Sequence, residues 1–209
     1  MSNLRKILLL IFITSLIGGC SVDFYRPNGS AAQCYYRNPA KNITNIGRVA
    51  IIELQNYSSY PQISADVTEA LFQQLQKKQV FGLLSVRSSD PDWKNLQIPP
   101  DGPQNLQQLA SIRKTLNCNA IIFGSVTEYQ PHPHLSIGLR LKMVDLTDGQ
   151  LVWGFEQLWD SADKNIQDRA KKYFKSQKKA DLSQFSPQLV STSSIEFLKF
   201  VTYEVTQCF

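Results

Sequence analysis

Groups that perform chemistry are scarce in this chain. Only two histidines, His132 and His134, occur among its 209 residues, together with two methionines and four cysteines. There is no glycine-rich phosphate loop, and G-x-S-x-G, H-E-x-x-H and C-x-x-C are all missing, so the commonest nucleotide, hydrolase, zinc-protease and dithiol signatures are excluded. A dominant charge is lacking too. The 22 basic and 17 acidic residues leave a formal net charge of +5, without the concentrated basic stripe of a nucleic-acid surface. No apolar run approaches the roughly 20 residues that a membrane-crossing helix needs. Internal repeats and low-complexity tracts are absent as well.

What is present begins at the N-terminus. Arg5 and Lys6 precede the apolar run Ile7–Ile17, and a short positive start with an apolar core of that length has the form of a signal peptide. The run ends in Ile17-Gly18-Gly19-Cys20, which resembles the bacterial lipobox: an aliphatic residue, two slim residues that admit the peptidase, and a thiol at fixed depth in the bilayer. By that resemblance residues 1–19 are a lipoprotein signal peptide, and acylated Cys20 anchors the chain in the lipid bilayer. Ser21 stands where Asp would signal inner-membrane retention in enteric bacteria, so the resemblance implies a periplasm-facing position on the outer membrane.

An exported protein meets an oxidising compartment, where the remaining cysteines allow one disulfide. Cys118 precedes an apolar strand and reads as a small buried hydrophobe. Cys34 and Cys208 lie near the two ends of the mature chain and form the preferred pair. The spacings fit no zinc pattern, and no metal or other cofactor is expected.

Residues 20–45, rich in Asn, Pro, Ser, Ala and Gly, read as anchor and tether, although Phe24, Tyr35 and Tyr36 offer groups that could pack on the domain. Residues 46–209 read as a single periplasmic domain. Arg48–Leu54 is a nearly continuous apolar run, as expected of a strand covered on both faces. Ile63, Val67, Ala70, Leu71 and Leu75 mark an amphipathic helix. Val80–Val86 reads as a second strand, 88–104 as a proline-rich loop, Leu106–Leu116 as a second helix, and Asn119–Tyr129 as another fully covered strand. The period then becomes two: Leu135, Ile137, Leu139, Leu141 and Met143 alternate with polar residues, Thr147-Asp148-Gly149 makes a turn, and Leu151, Trp153 and Phe155 alternate on the return. Ile166, Ala170, Tyr173 and Phe174 line a further helix. Ser193-Ser194-Ile195-Glu196 has capping-box form ahead of a last one. This succession predicts an α/β fold: a three-layer sandwich, with a mixed sheet of about five strands, a hairpin in the C-terminal half and helices on its faces.

Few residues in the domain invite a chemical role. Two imidazoles in His132-Pro133-His134 can share a metal, but nothing nearby nominates further ligands. Asp145 and Asp148 can pair for acid–base work, yet at a hairpin turn Asp more often bonds neighbouring backbone. Lys164, Arg169, Lys171, Lys172, Lys175, Lys178 and Lys179 form either a solvated helix face or a rest for anionic head groups. Trp93, Trp153 and Trp159 are candidate interface anchors, with Trp153 on the buried register of the hairpin.

Three segments together resemble a known group: Val49-Ala50-Ile51-Ile52, then Ala120-Ile121-Ile122-Phe123-Gly124-Ser125-Val126, and Leu141-Lys142-Met143-Val144-Asp145-Leu146-Thr147-Asp148-Gly149-Gln150-Leu151-Val152-Trp153. They are similar to the periplasmic α/β domain of the CsgG/LpoB lipoproteins, itself related to the N-terminal domain of TolB. The resemblance spans roughly 46–160 and carries no catalytic residues. It implies a non-enzymatic protein-binding or assembly module of the cell envelope, of the kind that regulates peptidoglycan synthesis. The alternative is an oligomeric secretion or pore component like the curli export channel. A barrel needs extra hairpins with strands of about 9–11 residues, whereas the long alternating hairpin here is the one the core sheet requires. The expected partners are the bilayer and an envelope protein, with self-association possible and nucleic acid excluded.

Overall fold

The computed structural model describes residues 35–177 and 193–209. The signal peptide, Cys20 and Cys34, and with Cys34 the expected Cys34–Cys208 disulfide, lie outside the described residues, as do Lys178 and Lys179. Among the described residues, seven strands form one open mixed sheet. They are β1 (Tyr35–Arg37), β2 (Arg48–Ile52), β3 (Gln55–Asn56), β4 (Gly82–Val86), β5 (Ala120–Gln130), β6 (Ser136–Asp145) and β7 (Leu151–Asp160). Their order is β1-β7-β6-β5-β2-β4, with β3 alongside β5. β2 is parallel to β4 and β5, while β5-β6-β7-β1 run antiparallel. The helices are α1 (Ile63–Lys78), α2 (Pro91–Leu96), α3 (Leu106–Leu116), α4 (Lys164–Gln177) and α5 (Ser194–Thr206).

The strand patterns follow from the layers. Val49 and Ile51 of β2 and Ala120 and Ile122 of β5 join one core with α1, α4 and α5. The residues between them, Ala50, Ile52, Ile121 and Phe123, join a second core with Leu109, Ile112 and Leu116 of α3. Both faces of these strands are covered, which is why their sequences are continuous apolar runs. The chain leaves β2 through α1 to β4, then reverses through α2 and α3 to reach β5. Because crossovers keep one hand, a reversal of direction puts the second connection on the opposite face. β6 and β7 send Ile137, Leu139, Leu141, Met143, Trp153, Phe155 and Trp159 into the first core, so they alternate.

Three local features depart from the expectation. The sheet has two more strands than the roughly five read from the pattern, because β1 and β3 are too short to show a period. β1 also takes the last part of the expected tether: Tyr35 pairs with Phe155 and Arg37 with Trp153, and Ile43 and Ile46 are buried beyond it. Finally, the 88–104 loop contains α2. Pro91 stands in its first turn, where the missing N–H costs nothing, and Trp93 and Leu96 pack on the second core.

Buried polar groups are matched. The Thr68 hydroxyl accepts from the Leu54 amide at 3.0 Å and donates to the Ser64 carbonyl at 2.6 Å. Ser193 caps α5 by accepting from the Glu196 amide, as the capping pattern predicts. Trp153 Nε1 donates to the Cys208 carbonyl at 3.1 Å. Lys78 Nζ donates to the Thr206 carbonyl at 2.6 Å, joining the Phe209 amide on that oxygen at the C-terminal end of α5. Cys118 and Cys208 are buried thiols. Burial pushes the Cys208 thiol up to about 12 and also raises Cys118, which packs as a small hydrophobe on the second core.

Candidate interaction surface

Among the described residues, the second helical layer is incomplete. α2 and α3 cover β4, β2 and β5 but stop short of the hairpin, so the outward side chains of β6 and β7 meet solvent. Arg140, Lys142, Glu156 and Leu158 are exposed along the strands, and Leu151 is exposed where β7 begins. Arg140 and Glu156 face each other in the ladder, with Nη2 donating to Oε1 at 2.6 Å. The hydrogen bond to the guanidinium holds the Glu156 carboxyl below its usual range. Both groups are more than half exposed, so this pair orients charge at the surface and adds little stability.

Where the helical layer ends, a groove of about 460 Å³ runs between the 101–109 segment and the hairpin, lined by Leu106, Leu109, Phe123, Lys142 and Leu151. A smaller hollow continues it past Lys142 to Arg140 and Tyr57. The loop forms the groove wall because Gly102 lies against the Phe123 ring: an added Cβ would meet Cζ at 2.4 Å, and φ is +97°. Only glycine combines that approach with that backbone conformation.

The hairpin turn is the best-tied part of this surface. Asp145 Oδ1 accepts from the Thr147 amide and Asp148 Oδ1 from the Gln150 amide, which is the turn role expected of them. Their other oxygens hold Lys41, at 2.8 Å and 2.6 Å, a residue that sequence reasoning left in the tether. Burial pushes the Asp145 carboxyl up, but hydrogen bonds from Lys41 and Thr147 outweigh it and leave it below its ordinary 3.8. Hydrogen bonds to Asp145 first, then Asp148, hold the Lys41 ammonium above its ordinary 10.5. A depressed carboxylate contributes stability that is present above its unfolded value and lost as pH falls through the folded one. Acidification from about pH 5 to about pH 3 should therefore lower the urea midpoint more in the wild type than in a Lys41→Met variant. Parallel curves for the two proteins would show that the clamp does not form.

The other candidates separate. His132 and His134 lie exposed in the β5–β6 loop, and no group of three or more metal-ligating side chains gathers among the described residues. Trp153 and Trp159 are both fully buried, so neither is an interface anchor, and Trp93 is half-buried on the second core. Lys171, Lys172 and Lys175 are exposed on α4. Arg169 instead turns inward to Glu204 of α5, with Nε to Oε1 at 2.7 Å and Nη2 to Oε2 at 2.9 Å. Among the described residues, no helix is long and apolar enough to cross a membrane.

The described residues thus define an α/β domain whose sheet is covered on one face and half covered on the other. No family model and no curated relative matches the chain. Several solved structures are similar to it at low identity. A variant of the PelC dodecamer from Paraburkholderia phytofirmans is 13% identical over 81% of this chain and 95% of that one, at a TM-score of 0.46. The LpoB C-terminal domain from Escherichia coli is 16% identical over 57% and 87%, at 0.42. Lipoprotein GNA1162 from Neisseria meningitidis is 12% identical over 66% and 99%, at 0.38. At these values the likeness is a distant one.

Proposed function

We propose that this chain is a lipid-anchored envelope protein, held at the outer membrane by Cys20, whose α/β domain binds a protein partner without performing catalysis. The observation that carries the reading is the uncovered outer face of the hairpin. There Arg140, Lys142 and Glu156 stand beside exposed Leu151 and a groove lined by both polar and apolar side chains. A surface of mixed charge around apolar anchors suits protein recognition better than it suits a small substrate. The signal-like N-terminus and Ile17-Gly18-Gly19-Cys20 support delivery to the envelope. A second reading, association of copies of this chain, draws on the Arg140–Glu156 pair, which presents both charges side by side and so can complement itself across a two-fold axis.

A photo-crosslinker at position 142 of the full chain, activated in intact cells, tests both. Recovery of another envelope protein supports the first reading, and recovery of the chain itself supports the second. An Arg140→Glu variant carrying the same crosslinker should lose the crosslinked species while keeping its urea midpoint. Crosslinking that persists in this variant at wild-type yield would overturn the assignment of the face. Cys20→Ala should move the protein from the membrane to the soluble fraction without loss of fold.

A further inference from the structure

We infer that two copies of this chain join through β4, antiparallel about a two-fold axis at Leu84, so that their sheets become one. This contact lies at the edge of the sheet away from the hairpin and depends on neither the hairpin face nor Cys20.

Among the described residues, β4 ends the strand order, with β2 as its neighbour on one side and no strand on the other. The pairing with β2 fixes which backbone groups face outward. The Gly82 amide donates to the Gly47 carbonyl, and the Val86 carbonyl accepts from the Glu53 amide. With Gly82 in register with Arg48 and Val86 with Ile52, alternation turns the backbone of Gly82, Leu84 and Val86 toward β2. The amides and carbonyls of Leu83 and Ser85 therefore point away from the sheet. Past them the edge is closed, because the Arg87 amide donates to the Asp90 carboxylate and its carbonyl accepts from the Asp90 amide.

Nothing in β4 blunts this edge. Sheet edges are commonly protected by charge, proline or shortness. β1, at the opposite edge, spans three residues and carries Arg37, whereas Gly82-Leu83-Leu84-Ser85-Val86 has neither charge nor proline. Leu83 packs on the first core and Leu84 on the second, yet both are only half-buried.

The spacing selects a second copy as the occupant. In an antiparallel ladder, opposite residues alternate between pairs that exchange both hydrogen bonds and pairs that exchange none. A two-fold axis at Leu84 sets Leu83 of each copy opposite Ser85 of the other, and Leu84 opposite itself. Every outward group of Leu83 and Ser85 is then satisfied, and the two Leu84 side chains meet across the axis, a self-complementary contact.

Charge agrees with the antiparallel direction. α1 leads back from the C-terminal ends of the strands to the start of β4. Glu53, Asp66, Glu69, Asp90 and Asp92 therefore stand toward the Val86 end of the edge. They outnumber the cations there, Arg87 and Lys94. Toward the Gly82 end stand Arg48, Lys77 and Lys78, with Arg113 and Lys114 of α3 beside the start of β5. Asp145 and Asp148 share that end of the sheet, but they lie three strands away and are held by Lys41. An antiparallel approach sets the acidic end of one copy against the basic end of the other, and a parallel approach opposes like charges.

The test uses the full chain in detergent, with Cys34→Ser as the parent. Leu84→Cys should oxidise to a covalent dimer, because opposite residues without hydrogen bonds have Cα atoms about 4.5 Å apart, within disulfide reach. Leu83→Cys should give about tenfold less, since its own copy lies two residues out of register, roughly 8 Å away and past that reach. Ser85→Pro removes an outward N–H and no bond within the sheet. Sedimentation of that variant should show monomer in place of dimer, at an unchanged urea midpoint. Equal covalent dimer from positions 83 and 84, or none from position 84, would overturn the inference, as would a dimer that survives Ser85→Pro. If Ser85→Pro fails to fold, the ratio of the two disulfide yields decides alone.

Discussion

Glu204→Ala should lower folding stability by about 3–5 kcal/mol, the usual cost of breaking a buried ion pair from one side. Glu204 is 3% exposed and Arg169 12%, and the pair is joined by two hydrogen bonds. The same carboxylate accepts from Trp159 Nε1 at 2.7 Å. One side chain of α5 therefore satisfies a guanidinium from α4 and an indole from β7. Removing it leaves the Trp159 N–H without its acceptor in an apolar layer and the Arg169 guanidinium, which keeps only slight access to water, without its counter-charge. Glu204→Gln should cost less, because an amide oxygen still accepts, but the cation remains unneutralised. An Arg169→Met/Glu204→Leu pair should recover most of the loss, since replacing both partners by apolar groups of similar volume removes the stranded charge. Urea unfolding at neutral pH measures all three. A Glu204→Ala midpoint equal to wild type would show that the pair is not buried.

This cluster is also where reading from sequence fails most clearly. Arg169 sits in a run of lysines and looks like one more solvated cation; Glu204 sits among the apolar positions of the last helix. The two are 35 residues apart, and neither helical period nor motif links them. Trp159 suffers in the same way, because a tryptophan with an unmatched N–H is expected at a surface until its acceptor is known. Lys41 reads as part of a tether because its surroundings are rich in Asn and Pro, and only strand pairing upstream of it brings the ammonium to Asp145 and Asp148. What was legible were the repeated patterns. β2 and β5 are covered on both faces and show it as continuous apolar runs, whereas β6 and β7 are covered on one face and show it as alternation. The uncovered hairpin face was therefore already written in the polar half of that alternation, at Arg140 and Lys142. Its use as a surface, however, depends on where α2 and α3 stop, which no local pattern states.

Gly124→Ala should be comparably damaging, by roughly 3 kcal/mol or more, the range of core overpacking and backbone strain. Gly124 lies in the middle of β5, opposite Leu141 of β6. A Cβ there would stand 2.0 Å from the Arg140 carbonyl oxygen and 2.9 Å from the Leu141 Cα. Both are backbone atoms of the neighbouring strand, so no side-chain rotation relieves the clash. The two strands must separate, and β5–β6 is the pairing through which the hairpin joins the rest of the sheet. A glycine inside a strand marks such close approaches, and the neighbouring residues set the consequence. Displacing Arg140 also moves its partner Glu156 and the exposed face between them. The substitution should thus lower the urea midpoint and weaken crosslinking at position 142 together. Gly154→Ala provides the contrast, because its added Cβ would meet only the side chains of Leu151 at 3.6 Å and Tyr36 at 3.9 Å, ordinary contacts that leave both readouts near wild type. If Gly124→Ala were equally silent, the close passage of β5 against β6 would be wrong, and with it the geometry that presents Arg140.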